Sequence, residues 1–187
     1  QTGALYEVME SFLETFGSKG RLHLYEPFNY EPLLKANELL FGLNTIPQFH
    51  LDRSDYIVSF AADFLESWLN NVQFAEQFSK MHLLDGKNIG RMTYIGPRFS
   101  MTAANADNFI LIPAGTECSI AMSMLKIIIE KGWAKEDVEY IKPSVEKIKF
   151  AKPPIDEDKI IELAAQFIKS KSSVALPGPL GASGPAA

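Results

Sequence analysis

The feature that most constrains the fold is a short, almost continuously apolar run at residues 55–61, Asp-Tyr-Ile-Val-Ser-Phe-Ala. A run without polar alternation is typical of a strand covered on both faces, as in a parallel sheet. Two more runs, at residues 91–95 and 108–112, are each broken by Gly or Pro, and further strands are expected at 21–26 and 173–176. The sequence therefore predicts an α/β fold, with a doubly wound, mainly parallel sheet and helices on both faces.

Apolar residues spaced three and four apart predict helices between these strands. The expected helices cover residues 5–16, 30–41, 72–84, 117–131, 135–140, 144–150 and 156–169, the last capped by Asp156. Residues 1–176 are interpreted as one dinucleotide-binding-type domain, truncated at both ends. Residues 177–187 are rich in Pro, Gly and Ala and are expected to form a flexible tail.

Composition excludes several classes of function. The formal net charge is −5 and the basic residues are scattered, so we expect no nucleic-acid partner. The single Cys118 excludes a disulfide within the chain and any Cys-based zinc or iron–sulfur site built from it alone. The start of a predicted helix could lower the pKa of the Cys118 thiol, but no His or second Cys is placed to make it catalytic.

The three His residues are too dispersed to name a metal ligand, and no apolar stretch is long enough to span a membrane.

Three loops follow the central strands of the predicted sheet, at residues 61–64, 96–100 and 113–117. In such sheets a ligand lies beyond the carboxyl ends of the strands, so these loops are the candidate site. The helix expected to begin at Glu117 would direct free backbone N–H groups toward it. The alternative is ordinary loop and capping chemistry, since any fold of this type needs Gly and Pro at strand ends.

Residues 55–64, 96–107 and 112–117, in this order, resemble a domain of the molybdopterin oxidoreductase large subunits. In that family the three loops have motifs close to Gly-Ser-Asn, Asp-Pro-Arg and Pro-Gly-Thr-Asp. The resemblance implies a Rossmann-like domain that holds one guanine dinucleotide arm of the molybdopterin cofactor. The residues implied to contact it are Ala61, Ala62, Asp63, Phe64, Gly96, Pro97, Arg98, Ser100, Gly115, Thr116 and Glu117.

Two further segments, Leu-Tyr-Glu-Pro-Phe at 24–28 and Phe-Leu-Glu-Ser-Trp at 64–68, resemble one branch of the family. This branch contains the molybdopterin-like subunits of alternative complex III and of periplasmic menaquinone reductase complexes, in which the molybdenum site can be lost. The resemblance implies a fragment of a respiratory electron-transfer subunit at the periplasmic face of the membrane. Its implied partners are the remaining domains of the parent subunit, an iron–sulfur subunit and a membrane quinone-interacting subunit.

Three residues depart from the family pattern: Asp63 replaces Asn, Gly96 replaces Asp, and Glu117 replaces Asp. Two hypotheses therefore stay open, a domain that holds a guanine dinucleotide arm and a cofactor-free structural scaffold. In either case the isolated fragment is expected to bind no cofactor, because a half-pocket lacks the partner domain that would surround the ligand. No catalytic residue is identified in it, so it is also expected to be inactive. Arg98 could bind a phosphate or carboxylate of a ligand, or it could form a salt bridge with Glu66 or Asp107.

Overall fold

The structure, a computed structural model, describes residues 4–23, 30–83, 89–134, 138 and 141–178. The helices of these residues are α1 (Ala4–Thr15), α2 (Glu31–Phe41), α3 (Asn71–Met81), α4 (Met101–Ala104), α5 (Glu117–Glu130), α6 (Lys142–Lys147) and α7 (Glu157–Lys169). The strands are β1 (Tyr56–Phe60), β2 (Arg91–Gly96), β3 (Asn108–Leu111) and β4 (Ser173–Pro177). From β1 onward at least one helix separates each strand from the next, and three helices, α5 to α7, lie between β3 and β4.

The strands form one parallel sheet with the order β3-β2-β1-β4. Val58 of β1 lies opposite Thr93 on one side and Ala175 on the other. The chain therefore moves outward from β1 to β3 and then crosses back to β4. This reversal places a topological switch point at the carboxyl ends of β1 and β4. The predicted α/β fold with a parallel sheet is confirmed.

All five residues of β1 are buried, because the strand is covered on both faces. Successive side chains of a strand point to opposite faces. On one face, Tyr56, Val58 and Phe60 pack in a cluster with Ile120 of α5 and Ile160 of α7. Full burial of each large apolar side chain contributes about 1.5–3 kcal/mol, so this cluster is a main source of stability.

Ile57 points to the opposite face of the sheet, where it packs with Phe64, Trp68, Phe74 and Met92. Phe74 belongs to α3, so α3 covers this face while α5 and α7 cover the other. Trp68 stacks on Phe74 with a ring-centroid distance of 5.6 Å. This two-sided packing explains why the apolar run of β1 does not alternate.

Several predicted helix bounds need correction. α3 ends at Met81, and residue 84 of the expected helix lies outside the described residues. α6 begins at Lys142 and residues 148–150 are not helical, so the helix expected at 144–150 lies nearer the N-terminus. Of the helix expected at 135–140, only residue 138 is described, and it belongs to no element. Asp156 occupies the N-cap position of α7, but its side chain makes no capping hydrogen bond.

The strand expected at residues 21–26 is absent from the part of that range that the structure describes. Residues 21–23 belong to no strand, and residues 24–26 lie outside the described residues. Residues 179–187 of the expected tail also lie outside them. Pro177, which was assigned to the tail, is the last residue of β4.

α1 forms as predicted, but its apolar face is exposed. None of its residues is buried, and Leu5, Val8 and Phe12 are 54–63% exposed. The spacing of apolar residues therefore identifies the helix correctly, while the packing partner that such spacing normally implies is not among the described residues.

Candidate functional site

The loop after β1 is a tight turn that buries Asp63. Ala61 has a positive φ of 55°, which redirects the chain at the end of the strand. The Asp63 carbonyl oxygen accepts hydrogen bonds from the backbone N–H groups of Glu66, Ser67 and Trp68. The backbone of Asp63 is therefore fixed, and the residue is only 8% exposed.

Both carboxylate oxygens of Asp63 have partners on the neighbouring strand and loop. The Tyr94 hydroxyl of β2 donates to Oδ1 at 2.7 Å, and Nη2 of Arg98 donates to Oδ2 at 2.6 Å. Burial raises the pKa of Tyr94, and the adjacent carboxylate also acts in that direction. The Tyr94 hydroxyl thus remains a donor at neutral pH.

Arg98 is bound by two carboxylates rather than one. Its Nη2 also contacts Oε1 of Glu66, which confirms one of the salt bridges expected from the sequence. The other expected partner, Asp107, instead accepts a hydrogen bond from the Met92 backbone N–H. The hydrogen bond to Asp63 raises the pKa of Arg98, so the guanidinium stays charged.

Gly96 makes room for this arrangement. A Cβ placed on Gly96 would lie 2.6 Å from Cε1 of Tyr94, well inside van der Waals contact. The Tyr94 ring therefore lies where the side chain of an aspartate at this position would begin. An aspartate at residue 96 and the observed Tyr94–Asp63 hydrogen bond cannot coexist without movement of the ring.

The loop after β3 places Glu117 in an unusual environment. Gly115 has a φ of +83°, and the Thr116 hydroxyl donates to the Pro113 carbonyl at 2.6 Å, so the turn is locally closed. Glu117, in the first turn of α5, is 1% exposed, and neither of its carboxylate oxygens has a hydrogen-bond partner among the described residues. Burial raises the pKa of the neighbouring Cys118 thiol, which opposes the lowering expected at a helix start.

The parallel sheet brings all three predicted loops to its carboxyl edge. The loops after β1 and β2 are joined by the Asp63–Arg98 pair, and the Ile112 N–H donates to the Gly96 carbonyl at 3.1 Å between β3 and β2. Beyond β4, the Gly178 N–H donates to the Phe60 carbonyl at 2.8 Å, at the switch point.

Some predicted contact residues have structural roles in this edge. Phe64 is fully buried and packs edge-on against Phe78, and Ala62 is fully buried as well. The Ser100 hydroxyl accepts from the Ala103 N–H and caps α4. Pro97 is half-buried in the same loop. Tyr94 is a residue of this edge that the sequence does not identify. The apolar pattern predicts only that it lies in a strand, and nothing in that pattern shows that its hydroxyl reaches Asp63.

A solvent-open cavity of about 1080 Å³ lies at the opposite, amino edge of the sheet. Acidic and basic side chains both line it, among them Asp55, Asp107, Arg91 and Lys169. We do not assign the predicted ligand to it, because ligands of doubly wound sheets bind at the carboxyl edge and mixed charges select no particular ion. No three potential metal-ligating side chains cluster within the described residues, and none of the helices described is long and apolar enough to span a membrane.

In this conformation the carboxyl edge offers a phosphate no guanidinium that is free of carboxylate partners at the Arg98 position. The cation that would meet a phosphate is already bound by Asp63 and Glu66. Asp63 adds negative charge to the first loop, and the Tyr94 ring lies beside Gly96 where the family has an aspartate.

Comparisons with known proteins give two relatives whose names refer to molybdopterin. No protein-family model matches the chain. The molybdopterin-binding-like subunit of menaquinone reductase from Nitratidesulfovibrio vulgaris is 25% identical over 183 residues, which cover 94% of this chain and 26% of that protein. The molybdopterin-containing subunit of arsenate respiratory reductase from Chrysiogenes arsenatis is 29% identical over 111 residues, 59% of this chain and 12% of that protein.

Among solved structures, acetylene hydratase from Pelobacter acetylenicus aligns with a TM-score of 0.45 and 17% identity, over 66% of this chain and 18% of that one. The chain spans about a quarter of the first relative and about an eighth of the second. The similarity to the menaquinone reductase subunit extends over nearly the whole chain, which confirms the predicted resemblance to the large subunits of the molybdopterin oxidoreductase family.

Proposed function

We propose that this chain is a structural domain of a molybdopterin-family subunit in a quinone-linked electron-transfer complex, and that its own side chains close the edge where a guanine dinucleotide arm would bind. The observation that carries the proposal is the engagement of Arg98 by both Asp63 and Glu66. The name of the menaquinone reductase relative supports the quinone-linked setting.

Charge supports the same proposal. One guanidinium and two carboxylates leave a formal charge of −1 where a pyrophosphate would need a positive environment. Two like charges 4 Å apart repel by about 1 kcal/mol in water and by about 4 kcal/mol at the effective dielectric constant near a protein surface. A phosphate at Arg98 would meet this repulsion from each carboxylate.

In this proposal the domain holds other parts of the complex together and performs no chemistry itself. Its partners would be the remaining domains of the parent subunit, an iron–sulfur subunit and a membrane quinone-interacting subunit, at the periplasmic face of the membrane. The predicted contact residues of the three loops would then maintain the shape of the edge. Ser100, which caps α4, is an example of such a role.

A second candidate, in which the edge still holds one guanine dinucleotide arm, is favoured by Glu117. A buried carboxylate without a hydrogen-bond partner is rare in proteins, and Glu117 has no such partner among the described residues. Its two oxygens could accept hydrogen bonds from the neighbouring donors on the edge of a guanine base. The carboxylate is covered in this structure, so such a ligand would require the loop to open.

Cofactor analysis of the complete subunit separates the two candidates. The purified subunit is expected to contain much less than one molybdenum and one pterin per polypeptide, and Arg98→Ala should not change that content. Stoichiometric pterin that falls in Arg98→Ala would reject the scaffold proposal and favour the second candidate.

The chain by itself is expected to bind guanosine diphosphate weakly in either case. A single domain covers only part of such a ligand, whereas small-molecule sites usually enclose most of it. Titration calorimetry should give a dissociation constant above roughly 10 µM, equivalent to less than about 7 kcal/mol. Tighter binding would show that the edge is a complete site.

A further inference from the structure

Arg98 contacts carboxylates of its own chain in the way that an arginine contacts a bound anion. Nη2 donates a short, charge-assisted hydrogen bond to Oδ2 of Asp63 at 2.6 Å. Glu66 supplies a second carboxylate to the same nitrogen. A guanidinium binds carboxylate and phosphate oxygens with similar geometry, so the same group could bind an external oxyanion.

Asp63 is held in this position more firmly than an exposed ion-pair partner would be. Its side chain is 12% exposed, against 56% for the side chain of Arg98. Its second oxygen is fixed by the Tyr94 hydroxyl, and its carbonyl oxygen accepts three backbone hydrogen bonds. The buried carboxylate is therefore the fixed member of the pair, and the guanidinium remains open to solvent.

We infer that Asp63 is a built-in counter-anion of Arg98, so that the carboxyl edge contains a site for a phosphate-type oxyanion that the chain itself blocks. Glu66 adds to the block from the same loop. This inference rests on the proposed function, because it concerns the same edge of the sheet. It predicts that the site becomes accessible when the carboxylates are neutralised.

The test uses the 187-residue chain and pyrophosphate as the probe. Asp63→Asn and Glu66→Gln are nearly isosteric and each removes one negative charge beside Arg98. From the Coulomb energy of unit charges about 4 Å apart in water, each change should tighten pyrophosphate binding about fivefold, and the double variant at least about tenfold. The gain should disappear when Arg98→Ala is added.

Glu76→Gln is the matched control. Glu76 is an exposed glutamate of α3 that pairs with Lys80 rather than with Arg98, and its substitution changes the net charge by the same amount. This variant should bind pyrophosphate as the unmodified chain does. Binding is measured by calorimetry at fixed low salt, because weak ionic binding depends strongly on ionic strength.

Three results would overturn the inference. These are equal pyrophosphate affinity in the unmodified chain and the double variant, a gain that survives Arg98→Ala, and an equal gain in Glu76→Gln. If Asp63→Asn does not fold, Glu66→Gln alone must still show the fivefold gain, or the inference fails. Cofactor content of the complete subunit tests the proposed function separately, because stoichiometric pterin that falls in Arg98→Ala would reject the scaffold and leave the pyrophosphate result for the 187-residue chain unchanged.

Discussion

Replacing Glu117 by methionine is expected to stabilise the chain. Glu117 is 1% exposed, and both of its oxygens lack hydrogen-bond partners among the described residues. Methionine is also unbranched, adapts readily to irregular gaps and leaves no polar atom that requires a strong partner. The substitution therefore removes the cost of burying a polar group while keeping most of the packing.

The size of the effect follows from two opposing terms. A buried polar group without a partner costs about 1–3 kcal/mol, and a charged group costs more. Glu117 lies in the first turn of α5, where the helix dipole stabilises a negative side chain by about 0.3–1 kcal/mol. The net gain is about 1–2 kcal/mol, which corresponds to a rise in Tm of about 2–8 °C for a chain of this size.

Thermal and urea denaturation of the 187-residue chain measure this gain. The matched control is Glu157→Met, because Glu157 occupies the first turn of α7 but is exposed. The control loses the dipole interaction without relieving any burial, so its Tm should fall slightly. A fall in Tm for Glu117→Met as well would refute the reasoning and indicate that the carboxylate has a stabilising partner.

Two further predictions concern the same edge. Gly178→Ala should lower the free energy of unfolding by about 1–3 kcal/mol in urea titrations, because its Cβ would lie 2.3 Å from the Ala61 carbonyl oxygen, and an unchanged midpoint would contradict this contact. Tyr94→Phe should lower it by about 1.5–3 kcal/mol, because the hydroxyl donates to the Asp63 carboxylate. The pKa of Tyr94 is raised in the folded state, so its contribution is complete below the unfolded value near 10 and is lost as the pH rises above it. As the pH rises above 10, the urea midpoint should therefore fall less in Tyr94→Phe than in the unmodified chain. Equal falls would contradict the raised pKa of Tyr94 in the folded state.

Much of the fold could be predicted because its signals are local. The apolar run of β1 and the glycines that end α1 and α2 each reflect the conformation or burial of a few neighbouring residues, and Gly42 does have the left-handed conformation expected at a helix end. The bounds of α6 were less accurate, since a short helix offers few positions from which to judge periodicity. The position of the candidate site followed from the parallel sheet, because carboxyl ends of parallel strands share one edge.

The sequence alone determined that this chain builds a parallel α/β sheet, places three candidate loops at one edge and resembles the molybdopterin oxidoreductases. Only the tertiary structure decided which hydrogen bonds and ion pairs form between those loops. The Tyr94–Asp63–Arg98 contacts join residues 31 and 35 positions apart in the chain, so they depend on the register of β1 against β2 and on the space left by Gly96. Burial patterns repeat along a chain and can be recognised there, whereas a hydrogen bond between two loops exists only once the strands that carry them have paired.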